Sequence, residues 1–233
     1  VALNGVANYK ILSEGPFENI HIPPSPGDAG SALGAAQYLY YVYHKNPKNT
    51  YNSSQLIKEN VYVGPSYSNE EIKSFLDSKK IIYKSFENSK LLQKTAQLIA
   101  DGNVVGWYQG KMEWGPRALG NRSILADPRR ADMKDILNAK IKHRESFRPF
   151  APSIMEEYVS EYFEMDIPSP YMLMVSPVKK SKDIPAVTHV DGTGRLQSVS
   201  KTSNSLYYDL INEFYKITQV PVIINTSMNV MGE

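Results

Sequence analysis

Four arginines stand where side chains could meet an anion. Arg117 and Arg122 lie within residues 110–127, GKMEWGPRALGNRSILAD, a stretch with neither helical nor strand periodicity, and Arg144 and Arg148 follow in KHRESFRPFAP at 142–152. A guanidinium presents a fixed fork of donors that suits phosphate or carboxylate, and Gly110, Gly115 and Gly120 would let the backbone approach a ligand closely. Anion binding is one reading of this pattern. The other is a surface loop whose arginines pair with local acids. Lys142, in the last turn of a helical pattern, could serve a ligand or merely complement the helix dipole. Asp28, in PSPGDAG at 24–30, falls at or beside the start of a small-residue helix, where it could cap the helix or mark an N-terminus open to phosphate or metal. The Gly-x-Gly of HVDGTGRLQ at 189–197 is weak evidence for a nucleotide, because no helical pattern follows it.

These side chains need elements to position them. The apolar run at 104–108 precedes the 110–127 loop and Ser123, Ile124, Leu125 and Ala126 close it, so the loop is expected to join two strands with its arginines at the mouth of a sheet. Further strands are expected at 1–4, 61–63, 171–175 and 222–224, with NTSMN at 225–229 as the turn after the last. Helices are expected at 31–43, from a capping signature at 68–71, at 91–100, at 130–142, and at 205–217, where Leu206, Leu210, Ile211, Phe214 and Ile217 form one stripe. Helices and strands alternate, which indicates an α/β class. From 44 to 60 the chain turns polar and aperiodic, and a domain boundary is placed there.

Composition narrows the function. The 233 residues are 42% apolar and 21% charged, enough for a sizeable core, and the absence of Cys excludes disulfides, thiolate metal sites and a cysteine nucleophile. No apolar run is long enough to span a membrane and no signal-peptide pattern opens the chain, so a cytoplasmic protein without a membrane partner is expected. The net charge of +2 is too small for nonspecific nucleic-acid binding, yet residues 101–150 hold ten Lys/Arg against six Asp/Glu. Positive charge concentrated around one loop favours a small anion over a long polyanion.

Six ordered blocks carry a family resemblance: ALNGVAN, PSPGDAGSALGAA, GKMEWGPRALGNRSILADPR, IKHRESFRPFAPS, HVDGTGRLQSV and NTSMN. Together they resemble the C-terminal part of the NodU/CmcH carbamoyltransferases along nearly the whole chain. The resemblance implies that residues 1–45 are the last piece of an actin-like (ASKHA) carbamoyl-transfer domain, 46–59 a linker, and 60–233 a YrdC-like α/β domain that makes carbamoyl-adenylate. The implied substrates are ATP, with Mg2+, and carbamoyl phosphate, and the implied final acceptor is a hydroxyl-bearing small molecule. Arg117, Arg122 and Arg148 are then assigned to catalysis, Arg144 and Lys142 to substrate, and Thr226, Ser227 and Asn229 to the nucleotide phosphates. Asp28 matches an aspartate that helps to hold iron in the complete protein, its two histidine partners belonging to an upstream region. The alternative is a noncatalytic YrdC-type module that binds a nucleotide or RNA.

Overall fold

The apolar runs on either side of the arginine loop become β1 (Val105–Tyr108) and β2 (Arg122–Ala126), an antiparallel hairpin with Trp107 opposite Ser123 and Tyr108 opposite Arg122. In this computed structural model, which describes residues 1–47 and 61–229, the hairpin forms one side of a six-stranded sheet. The other strands are β3 (Ala151–Met155), β4 (Met174–Pro177), β5 (Thr193–Val199) and β6 (Val222–Ser227), and the spatial order is β1-β2-β6-β3-β5-β4. Every neighbour is antiparallel except β3 and β5, which run parallel. The central position of β6 explains its sequence. Val222, Ile223 and Ile224 have no exposed surface, as an interior strand covered on both faces requires.

Helices cover this sheet as the periodicity predicts. The helix Asn88–Ala100 packs against the helix Ser205–Thr218, bringing Ala96 and Ile99 into one core with Leu210, Ile211 and Phe214. The Asn204 side chain caps the second helix by accepting from the Tyr207 N–H, and Gln219 ends it in a left-handed conformation. Arg129 anchors the same region. Its guanidinium grips the buried carboxylate of Asp127, donates to the Ala100 carbonyl and lies over the Phe214 ring at 5.4 Å. The capping box at Ser68 and Glu71 opens the helix Asn69–Ser78 as expected, although that helix buries no residue. The mixed α/β class inferred from the alternation of patterns is the class observed.

Several elements differ from the sequence expectation, each for a local reason. Residues 1–4 form a turn rather than a strand, because Asn4 caps the helix Gly5–Glu14 through the Ala7 N–H, and that helix lies on β4 with Asn8 donating to the Leu173 carbonyl. Residues 61–63 supply only an isolated bridge, between Tyr62 and Glu113. The strand expected from 171 begins at Met174, since Met172 adopts a positive φ of 55° that breaks an extended run. The helix Ser31–Gln37 passes into a π-helical turn at Tyr38–Tyr43, and neither part buries a residue. Of the linker assigned to 46–59, all but residues 46 and 47 lies outside the described residues.

Candidate functional site

The loop between β1 and β2 is held from both ends. Glu113, near its start, accepts through Oε1 from the backbone N–H of Leu119 at 2.7 Å, Asn121 at 2.8 Å and Arg122 at 3.1 Å. The Leu119 carbonyl accepts from Gln197 Nε2 and the Tyr62 hydroxyl, both at 2.9 Å, and the Ala118 carbonyl accepts from Asn225 Nδ2 at 3.1 Å. A buried amide network of Gln109, Asn121 and Asn204 ties the loop base to the cap of Ser205–Thr218. Two glycines serve this packing. Gly115, at φ 122°, would place a Cβ 2.7 Å from the Pro24 carbonyl oxygen, and Gly120, at φ 102°, would place one 2.3 Å from the Tyr207 ring. Their close approaches are to protein, not to ligand space.

Between the ends of this clamp, Arg117 lines two adjoining cavities that share Pro116, Arg117, Ala118 and Ser227 in their walls. The smaller, about 120 Å³, also meets Arg144, Arg195 and Thr226; the larger, about 290 Å³, meets Glu113, Arg122, Met228 and Asn229. Three separate elements therefore bring guanidinium groups to one small space: a loop for Arg117, the turn after a helix for Arg144, and β5 for Arg195. Arg144 is oriented by Asn138 Oδ1, which accepts from its Nε at 2.7 Å, and by the Phe150 ring beneath it at 4.9 Å. Among the described residues no carboxylate lies within ion-pair distance of Arg117, Arg122, Arg144 or Arg195, and the Nε atoms of Arg117 and Arg195 are buried without an acceptor. Burial lowers the pKa of Arg117. Burial, then the charges of Arg117 and Arg144, push Arg195 down to about 10. Half-buried cations without a counter-ion suit an anion.

Lys142 plays a different part from the one its sequence position suggests. It is 3% exposed, and its ammonium donates to the Ser227 carbonyl, to the Asn229 carbonyl at 2.8 Å and to Asn229 Oδ1 at 3.1 Å. It thus fastens the end of the helical segment Leu137–Lys142 to the end of β6, where Thr226, Ser227 and Asn229 face the cavities. Burial, and then Arg144, lower its pKa to about 8. Arg148 stands apart: it lines neither cavity, and its Nε donates to Glu145 at 2.9 Å with both side chains about half exposed.

Asp28 is exposed on a short 3-10 turn, Asp28–Gly30, and caps neither that turn nor the helix after it. Among the described residues no three His, Asp or Glu side chains converge to hold a metal ion, so those present do not by themselves fit an iron site. Two residues of the site carried no assignment from sequence. Arg195 sits in a block that the Gly-x-Gly spacing left unremarkable, and the only available signal was an arginine between a turn and an apolar strand. Glu113 gave no signal, because its partners are backbone groups six to nine residues away.

Known proteins bear on this geometry. The family model described as carbamoyltransferase C-terminus matches residues 96–233, and that described as carbamoyltransferase N-terminus matches residues 1–37. An uncharacterized protein of Synechocystis is 44% identical, the alignment covering 100% of this chain and 42% of that protein. The nodulation protein NolO of Bradyrhizobium diazoefficiens is 43% identical over 98% of this chain and 42% of its own length. The chain thus spans less than half the length of these relatives. Among solved structures, full-length HypF in its phosphate- and nucleotide-bound form aligns with 65% of this chain and 18% of its own, with 17% identity and a TM-score of 0.41.

Proposed function

Because the chain belongs to the carbamoyltransferase family, we propose that its arginine site binds carbamoyl phosphate and ATP and forms carbamoyl-adenylate, the carbamoyl donor for a hydroxyl-bearing small molecule bound elsewhere in the whole protein. The observation that carries this reading is the convergence of Arg117, Arg144 and Arg195, unpaired with any acid among the described residues, on a cavity sized for a small anion rather than a nucleotide. Carbamoyl phosphate occupies that cavity. The triphosphate extends into the larger one, toward Arg122 and the Ser227 and Asn229 side chains. Water cleaves carbamoyl phosphate to carbamate and phosphate. A carbamate oxygen then attacks the α-phosphorus of ATP, the bond to the β-phosphate breaks, and pyrophosphate leaves.

Such a displacement brings several negative charges together, so the protein's contribution is positioning and charge neutralisation rather than covalent chemistry. Each charge-assisted hydrogen bond from a guanidinium is worth roughly 1.5–3 kcal/mol. Lys142 acts through the end of β6, and Arg148 contributes only on leaving Glu145. Magnesium bound with the nucleotide would neutralise part of the phosphate charge beside Arg122, Ser227 and Asn229. The YrdC-like assignment of 60–233, and the actin-like one of 1–45, belong to this proposal, as do the acceptor's class and the absence of a nucleic-acid partner. Exchange of labelled pyrophosphate into ATP, measured with and without carbamoyl phosphate, tests the reading. Exchange that requires carbamoyl phosphate and is lost in Arg117→Ala is expected; nucleotide binding without exchange would instead establish the noncatalytic module.

A further inference from the structure

We propose that Glu113 is the positioning residue of the anion site: it occupies, as a built-in acceptor, the backbone N–H cluster of the loop, so that the substrate anion is left to the arginines. The inference rests on reading the cavities as anion sites. Its basis is the convergence of three N–H groups, from Leu119, Asn121 and Arg122, on a single carboxylate oxygen at 2.7–3.1 Å. Successive backbone N–H groups in a turn make a concavity that binds anions. In this loop the concavity is already filled by the chain itself.

The placement of the carboxylate gives the filling its consequence. Glu113 is bridged to Tyr62 on one side and bonded to residues 119–122 on the other, so it closes the loop across the segment that carries Arg117. Among the described residues it is also the only acid lining either cavity, and it makes no ion pair with Arg117 or Arg122. A carboxylate beside two arginines that spends an oxygen on backbone donors leaves both guanidinium groups available. Without it, the three N–H groups would compete with the arginines for phosphate, and the peptide at 118–119 would be held from its carbonyl side alone, by Gln197, Tyr62 and Asn225.

The decisive comparison is Glu113→Ala with Glu113→Gln, since the glutamine carbonyl can still accept from the three N–H groups while carrying no charge. In Glu113→Ala we expect amide exchange at 119, 121 and 122 to quicken and affinity for inorganic phosphate to fall about tenfold, the equivalent of one misplaced charge-assisted bond. The KM for carbamoyl phosphate in the pyrophosphate-exchange assay should rise by more than kcat falls. Glu113→Gln should restore amide protection and most of the phosphate affinity. Undiminished phosphate affinity in Glu113→Ala overturns the proposal. So does a Glu113→Gln variant as impaired as Glu113→Ala with its amides protected, which would show the charge itself to be needed. Should Glu113→Ala fail to fold, Glu113→Asp replaces it: the shorter reach should weaken phosphate binding with the fold intact, and unchanged binding overturns the idea. A wild-type protein that neither binds phosphate nor exchanges pyrophosphate would sink the functional reading instead, while the amide comparison would still decide whether Glu113 holds the loop.

Discussion

Replacing Arg195 by methionine should make the protein more stable and the site worse at the same time. Arg195 is held at a pKa of about 10 against an ordinary 12.5, by burial and by Arg117 and Arg144. At about 1.4 kcal/mol for each tenfold in acidity, its charge is disfavoured by about 3 kcal/mol relative to water. Methionine fills similar length without charge. Some packing of the aliphatic stem is lost, so a net gain of about 1–2 kcal/mol is expected, or about 2–8 °C in Tm for a chain of this size. Inorganic phosphate reverses the ranking. It stabilises the wild type by mass action, and the loss of one charge-assisted contact, roughly 1.5–3 kcal/mol, should weaken its binding about 10- to 100-fold in Arg195→Met. Thermal unfolding of both proteins across a phosphate series reads the two effects together. An Arg195→Met protein that is less stable than wild type without phosphate, or that gains as much Tm from phosphate, would refute the reasoning.

Other outcomes follow from single residues. Lys142 titrates near 8 in the folded protein and near 10.5 when unfolded, so the unfolded chain binds more protons between those values. Stability without ligand should therefore rise with pH across that window, by up to about 3 kcal/mol, and denaturant midpoints for Lys142→Met should show a flatter profile. Gly120→Ala combines a φ of 102° with a Cβ 2.3 Å from the Tyr207 ring, and should destabilise by about 2 kcal/mol or more in the same denaturation assay. Elemental analysis of the chain purified in the presence of iron should find well under one equivalent, because Asp28 has no converging partners among the described residues.

What the sequence made legible was local. The hairpin around 110–127, the stripe of 205–217 through Leu210, Ile211 and Phe214 though not the exposed Ile217, the capping pair Ser68 and Glu71 and the buried run at 222–224 each depend on neighbours within a turn or a strand, and each is found. The arginines of the candidate site were legible for the same reason, since arginines among glycines and prolines announce themselves. What escaped was set by distant pairing. Arg195 meets Arg117 and Arg144 only because β5 lies beside β3, and no spacing in the chain encodes that. Met172 has no glycine to signal its left-handed conformation. Glu145, three residues before Arg148, was visible, but the choice between that pair and a shared ligand is made by the turn that points Arg148 away from the cavities.

The distribution of the arginines over separate elements has a physical logic. Like charges on one flexible loop would swing apart in the absence of a ligand, and assembling them would consume binding energy. Here Arg144 is fixed by Asn138 and Phe150, and Arg195 by a strand with partners on both sides. Arg117 is carried by a loop clamped at Glu113, Gln197 and Asn225. Their repulsion is thus met by folding, at the expense of stability, and the proposed anion would find donors already in place. The loop bearing Arg117 also touches residue 24 through Gly115, and the backbone beside Met172 is bonded to Asn8. Two walls of the smaller cavity are therefore held by the first 25 residues of the chain. A displacement of that segment would act on the Arg117 loop and on the backbone beside Met172 together, and would be opposed at the loop by Gln197, which lies on the same strand as Arg195.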